Sequence, residues 1–328
     1  MSFIKKIAVA AILVTAATVG GFSYWAKQAI TTQGEPISFT VLPGSGVGAA
    51  AKEISAAGVP VNPFLLSTLA RVTQKSGKIK AGSYELKPNT TPRGLIDLMV
   101  RGEFAQESLT IIEGWTFRQM REAVAANKGL RHDTAKLSDT ELMQKISKEY
   151  TAPEGLFFPD TYLFAKGASD LTIYKQAHSV LLAKLNAAWE KRAQDLPYTT
   201  PYQALVMASI VEKETGKESE RPMIAAVFVN RLKRGMMLQT DPTVIYGIGP
   251  KFDGNIRKKD LETDTPYNTY TRSGLPPTPI ALPGEQSLAA AMGPATTEAL
   301  YFVSRGDGSS QFSDNLPDHN RAVNKFQR

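Results

Sequence analysis

The sequence has no cysteine and only three histidines, His132, His178 and His319, in 328 residues. The first absence excludes disulfides, thiolate nucleophiles, iron–sulfur clusters and cysteine-ligated zinc. The second leaves no metal-binding spacing of the HExxH kind. No metal or other cofactor is therefore expected, and His132 and His178 read as surface residues. Basic charge is not concentrated either. The net charge is +7, but blocks such as Lys78–Lys80 and Arg257–Lys259 are short. That spread argues against a nucleic-acid partner, which calls for clustered charge or interleaved aromatics. It suits a basic surface near an anionic membrane or polymer. There is no internal repeat and no low-complexity tract.

One long apolar run is present. Ile7 to Trp25 carries no charge, is preceded by Lys5 and Lys6, and ends in Tyr24-Trp25. A helix needs roughly 20 apolar residues to cross a bilayer. Lysines favour the cytoplasmic side and aromatic rings the interface. The expectation is a single-pass anchor in the cytoplasmic (inner) membrane, N-terminus inside, with everything after about Lys27 exported. A cleaved signal peptide is the rival reading, because Thr15-Ala16-Ala17 offers small residues to a protease.

The rest reads as an α+β protein. Residues 1–27 form the cytoplasmic stub and anchor, 28–36 a polar linker, 37–105 a small module and 106–328 a larger mixed α+β domain. In the module, Ile37–Leu42 and Ala81–Leu86 read as strands. Val47–Ala57 and Pro63–Gln74 between them read as helices, giving the order β-α-α-β. Thr91–Arg101 follows as a helix with a Thr cap and Pro92 in its first turn. Further on, Ser108–Ile112 is a strand. Helices are expected over Thr116–Ala126, Ser138–Lys148, Leu171–Gln194, Tyr202–Thr215, Pro222–Lys233 and Asp318–Phe326. Gly306-Asp307-Gly308 signals a hairpin between Tyr301–Val303 and Gln311–Ser313.

Short hydrogen-bonding side chains mixed with tyrosine are densest between Ser209 and Tyr270. Such a mixture suits a carbohydrate, although the same residues make ordinary turns. Met207, Ile210, Val211 and Glu214 share one helical face. A carboxylate that continues an apolar stripe is partly desolvated, and its pKa rises. That is what a general acid needs near neutral pH. Glu212 competes with it. It lies with Leu205, Ala208 and Ser209, about 200° away from Glu214 around the helix, so the two cannot act as a pair. Periodicity alone does not choose between them.

Several long motifs occur in order. They are Glu154-Gly155 through Pro159-Asp160-Thr161-Tyr162, Ala208-Ser209-Ile210-Val211-Glu212-Lys213-Glu214-Thr215, Leu238-Gln239-Thr240-Asp241-Pro242-Thr243-Val244-Ile245-Tyr246-Gly247, Tyr267-Asn268-Thr269-Tyr270, Gly274-Leu275-Pro276-Pro277 and Asp318-His319-Asn320. Together with the N-terminal anchor, they resemble the endolytic murein transglycosylase (YceG-like) family over nearly the whole chain. The resemblance implies a LysM-like module at 37–105, a type that contacts glycan. It implies that the catalytic acid/base is the second glutamate of the Glu-Lys-Glu run, Glu214. The substrate implied is the glycan strand of nascent peptidoglycan, cut internally between N-acetylmuramic acid and N-acetylglucosamine to leave a 1,6-anhydro end. Such a cut could terminate strand elongation. The partners implied are peptidoglycan synthases, the penicillin-binding proteins. Gln239, Thr240, Asp241, Tyr246, Asn268, Tyr270 and Asn320 are candidates to line the cleft. Asp241 before Pro242 could instead initiate a turn, Tyr246 could be core, and Phe157 and Phe158 read as core. The rival functions are a hydrolytic muramidase pairing Glu214 with Asp160 or Asp241, and a non-catalytic glycan-binding scaffold.

Overall fold

The computed structural model describes residues 3–32 and 36–327. It is a mixed α+β protein that divides into two compact units, Met1–Glu107 with Leu163–Ala168, and Ser108–Tyr162 with Ser169–Arg328.

The first unit begins with helix α1 (Phe3–Trp25). Its stretch Lys5–Trp25 is 21 residues long with a mean hydropathy of 1.8, enough to cross a membrane. Next come β1 (Ile37–Val41), α2 (Val47–Ala56), α3 (Pro63–Val72), β2 (Gly82–Leu86) and α4 (Pro92–Arg101). Strands β1 and β2 pair antiparallel with Phe39 opposite Tyr84. Alternation turns Phe39 and Val41 inward from one strand and Tyr84 and Leu86 from the other. The rings of Phe39 and Tyr84 stack with centroids 5.5 Å apart. Helices α2, α3 and α4 cover this layer with Ile54, Leu66, Leu95 and Ile96, among others. Both later helices start on the signals their sequences carry. Asn62 accepts hydrogen bonds from the N–H groups of Phe64 and Leu65, and Thr91 accepts from that of Gly94. Helix α4 stops at Gly102, whose φ of 76° suits glycine.

The segment expected as a polar linker is partly folded into this unit. Phe22 and Trp25 pack against the module's core, while Ala26 and Ile30 belong to it. The Ile30 N–H donates to the Thr90 carbonyl at 2.8 Å, and the Arg93 N–H donates to the Ala26 carbonyl at 3.2 Å. Thr32 is buried as well. The isoleucine and the aromatic helix end supply the apolar surface that an otherwise polar composition hid. Residues 33–35 of the expected linker lie outside the described residues.

The unit boundary falls inside β3 (Gln106–Thr110) and β4 (Thr161–Ala165), which pair with each other. The second unit contains α5 (Phe117–Ala126), α6 (Asp139–Ile146), α7 (Asp170–Glu190), α8 (Pro201–Glu214), α9 (Arg221–Lys233), α10 (Asp241–Ile248), α11 (Lys258–Glu262), α12 (Glu285–Met292), β5 (Tyr301–Ser304), β6 (Ser310–Ser313) and α13 (Leu316–Phe326). Helix α8 is its axis, with α7, α9, α10 and α12 packed around it. Residues Ala204 through Val211 are all buried, so this helix is covered on every side. Strands β5 and β6 form the expected hairpin, antiparallel with Phe302 opposite Phe312.

Four elements were not anticipated: β4, α10, α11 and α12. Helix α10 was hidden because Asp241-Pro242 read equally as a turn. Proline is tolerated in the first turn of a helix, which is where Pro242 stands. Helix α12 follows a proline- and glycine-rich stretch that masks its start. His178, expected at the surface, is buried. Its Nδ1 lies 2.9 Å from the Leu156 carbonyl, and its ring packs beside Phe157. Those contacts give the imidazole both a polar partner and an apolar bed. His132 is exposed, and Phe157 and Phe158 are core.

Candidate functional site

Helix α8 starts at a threonine cap, Thr200, and runs through the core until Glu214, its last residue. A helix buried on all sides carries its charged side chains at its ends. At the C-terminal end of α8 two of these are the carboxylates Glu212 and Glu214, and their surroundings differ.

Glu212 is sealed. Its side chain is 6% exposed and that of Arg221 is 7% exposed, with Glu212 Oε1 3.5 Å from Arg221 Nη2. The Gly284 N–H donates to Glu212 Oε2 at 3.0 Å. This carboxylate is an ion-paired strut between α8, the start of α9 and the start of α12.

Glu214 is half-buried and opens into a cleft of about 540 Å³. Among the described residues no cation pairs with it. The neighbouring Lys213 instead donates to the Gly114 carbonyl at 3.1 Å. Burial pushes the Glu214 carboxyl up to about 7, and the nearby charge of Asp241 acts in the same direction. One contact opposes them, a short hydrogen bond from the Thr240 hydroxyl to Glu214 Oε1.

Thr240 occupies the N-cap position of α10 without capping it, because its hydroxyl turns to Glu214. A set of threonines fixes it there. The Thr240 N–H donates to Thr269 Oγ1 at 3.1 Å, Thr243 Oγ1 donates to the Thr240 carbonyl at 2.8 Å, and the Thr243 and Thr269 hydroxyls lie 2.9 Å apart. The preceding residue, Gln239, lines the cleft with a φ of 52°, a left-handed conformation that costs a non-glycine residue of order 1 kcal/mol. Asp241 and Tyr270 face the cleft together, the tyrosine hydroxyl donating to Asp241 Oδ1 at 2.5 Å. Asn320 lines it from α13.

Of the seven candidate lining residues, four do line the cleft: Gln239, Asp241, Tyr270 and Asn320. Thr240 lies behind the wall and reaches it through Glu214. The other two face elsewhere. Asn268 is fully buried, and its amide nitrogen donates to the carbonyls of Asp260, Leu261 and Thr263 while its Oδ1 accepts from the Tyr270 N–H at 2.8 Å. It shapes the loop that carries Thr269 and Tyr270. Tyr246 points into the interior, where its hydroxyl donates to Glu154 Oε2 at 3.0 Å and its ring meets Tyr267 edge-on. The helical turn from Asp241 to Tyr246 carries the two to different sides.

Glu154 is a second carboxyl of this unit that is raised as far as Glu214. It is buried, accepts from the Phe117 N–H at 2.9 Å, and is held up at about 7 by desolvation. Arg231 on α9 and Tyr301 on β5 also line the cleft without a sequence signal as candidates, and His319 on α13 lines it from the Asp318-His319-Asn320 motif, although it was not among the candidates. Arg231 falls in a stretch that reads as an ordinary basic helix end. Asp160, a candidate second carboxylate, does not line the cleft.

The model of the YceG-like family matches residues 39–325. A protein named endolytic murein transglycosylase from Bacillus subtilis (strain 168) is 33% identical over 266 residues, covering 75% of this chain and 73% of that one. One of the same name from Streptococcus pneumoniae serotype 2 (strain D39) is 29% identical over 316 residues, covering 85% of this chain and 56% of that one. A 2.6 Å crystal structure of a YceG-like protein from Listeria monocytogenes superposes with a TM-score of 0.56 at 29% identity, covering 88% of this chain and 99% of that one.

Proposed function

We propose that this chain, which belongs to the YceG-like family, is an endolytic murein transglycosylase that uses Glu214 as its single acid/base. One observation carries the reading. Glu214 is the carboxyl that combines a raised pKa, no pairing cation among the described residues, and an opening into a cleft.

In the proposed reaction the protonated Glu214 gives its proton to the oxygen bridging N-acetylmuramic acid and N-acetylglucosamine. The carboxylate left behind takes the proton of the muramoyl C6 hydroxyl. That oxygen attacks C1, closes a 1,6-anhydro ring, and the bridging C1–O bond breaks. No water is consumed, so no second carboxylate is required, unlike ordinary glycosidases. Positive charge developing at C1 is met by Asp241, which the Tyr270 hydroxyl orients. Gln239 and Asn320 offer neutral donors and acceptors to the sugars.

Helix α1 anchors the chain in the cytoplasmic membrane, with the β-α-α-β module and the second unit outside, and supports a role in ending glycan elongation beside penicillin-binding proteins. The β-α-α-β module contacts glycan in the manner of LysM domains.

Asp241 lines the same cleft as Glu214, which keeps one second reading in play: hydrolysis by two carboxylates. Product mass separates the two, because hydrolysis adds a water that transglycosylation does not. Purified glycan incubated with the wild type should yield anhydro-muramoyl ends and with Glu214→Gln none. Reducing ends alone would select hydrolysis, and unchanged cleavage by the variant would remove Glu214 from the mechanism.

A further inference from the structure

The wall of the cleft opposite in charge to Glu214 holds a cation with no counter-ion among the described residues. Arg231 is 8% exposed, and among the described residues no carboxylate pairs with it. Its Nε donates to the Leu300 carbonyl at 2.7 Å. Its Nη1 donates to the carbonyls of Met237 and Leu238 at 3.2 and 2.9 Å, and to Gln239 Oε1 at 3.4 Å. The guanidinium also sits over the Tyr301 ring, 5.0 Å from its centroid. Carbonyl dipoles and a ring face solvate a buried charge without neutralising it. Its Nη2 donates to no group among the described residues.

The same cleft wall has a second unmet demand. His319 stacks on Tyr301 with centroids 5.1 Å apart, and its Nδ1 is buried with no hydrogen-bond partner among the described residues. Burial and the Arg231 charge push the His319 pKa down and favour the uncharged ring. A buried polar nitrogen left bare costs as much as a lost hydrogen bond. A cation without an anion and an imidazole without a partner, both against one tyrosine ring, describe half of a binding site.

We infer that Arg231 and His319 form a subsite for a carboxylate of the substrate. The inference rests on the glycan reading above, and it names which part of the strand this side of the cleft recognises. A single carboxylate fits better than a phosphate. Among the described residues Arg231 is the one cation lining the cleft, and Asp241 lines it too, so the site balances a single negative charge better than a double one. Peptidoglycan offers carboxylates from two sources. One is the lactyl group of a muramoyl residue that has lost its peptide. The other is the peptide stem, whose attachment turns the lactyl group into a neutral amide.

The test uses two matched pairs of glycan strands and the full-length protein. The first pair is strands stripped of peptide, with their lactyl carboxylates free or coupled to methylamine. The second is peptide-bearing strands, with stem carboxylates free or amidated. Neutralising the recognised carboxylate should lower kcat/KM about 10- to 100-fold, the range of one charge-assisted hydrogen bond. A drop in the first pair assigns the lactyl group, and in the second pair the stem. Arg231→Leu and His319→Phe should shrink the ratio toward one, while Arg231→Lys should keep most of it. A purely structural Arg231 lowers activity on both members of a pair alike. A ratio within twofold in both pairs for the wild type overturns the inference. Affinities of Glu214→Gln for the same pairs, read by calorimetry, give the ratio without any turnover. If the wild type cuts none of the four strands, the catalytic reading fails, and these affinities still decide the carboxylate subsite.

Discussion

Helix α8 ends in two glutamates two residues apart, and the structure treats them as opposites. On one side Glu212 is locked to Arg221 and to a backbone N–H, with both charges nearly inaccessible. On the other, Glu214 is desolvated but unpaired and looks into open space. Both are acidic, both lie at the end of a buried helix, and both are poorly hydrated. What separates them is the partner. An ion pair turns a buried carboxylate into a fastening, whereas desolvation without a cation leaves a group that exchanges protons near neutral pH. Burial alone is therefore a weak marker of chemistry in this fold.

The largest test of that contrast is to remove each carboxylate in turn. Glu214→Gln should lower kcat by at least about 1000-fold, as loss of an essential acid/base does, with the thermal midpoint unchanged or raised. Activity within tenfold of wild type would erase the distinction between the two faces. Glu212→Ala should do the reverse and destabilise the fold by about 3–5 kcal/mol, because Arg221 is left buried without its anion. Urea denaturation measures it. A loss below about 1 kcal/mol would mean the pair is no strut.

Glu154 sharpens the comparison, since it is raised like Glu214 and sealed like Glu212. Its folded pKa is about 7 against an ordinary 4.5, so the folded protein holds a proton that the unfolded chain releases between those values. Stability is then greatest below about 4.5 and falls as pH rises toward 7, by up to about 3 kcal/mol for a shift of this size. Glu154→Gln should flatten that part of the stability–pH curve, and an unchanged slope would show that this carboxyl titrates normally.

The smallest expected effect concerns Thr240. Its hydroxyl is the one contact that lowers the Glu214 pKa. Thr240→Val should therefore move the alkaline limb of the kcat profile upward and lower kcat about tenfold, with little change in KM. A downward shift of that limb would contradict the assigned direction of the hydrogen bond.

The sequence shows much of the first unit because its order is local. Strand alternation, the caps at Asn62 and Thr91, and the stop at Gly102 are all written in neighbouring residues. Glu214 was legible as a candidate from helical spacing, but its separation from Glu212 was not. That depends on Arg221 and Gly284, which come from other helices. Tyr246 and Asn268 illustrate the same limit. They belong to motifs that also carry cleft residues, yet one helical turn or one loop bend sends their side chains inward. Arg231, Tyr301 and His319 meet only because α9, β5 and α13 converge, and no short stretch of sequence contains that convergence.

The docking of Ala26 and Ile30 into the module's core has a mechanical consequence. A free chain over 28–36 would act as a ball joint, letting the module wander by roughly 16 Å and spin independently of the helix. With the helix end built into the core, that joint has lost its swivel. Under the proposed anchoring, helix and module diffuse in the membrane plane as one rigid body, and any torque on the module is borne by the helix in the lipid. The module thus keeps a constant height and tilt above the bilayer, like a post set in its footing.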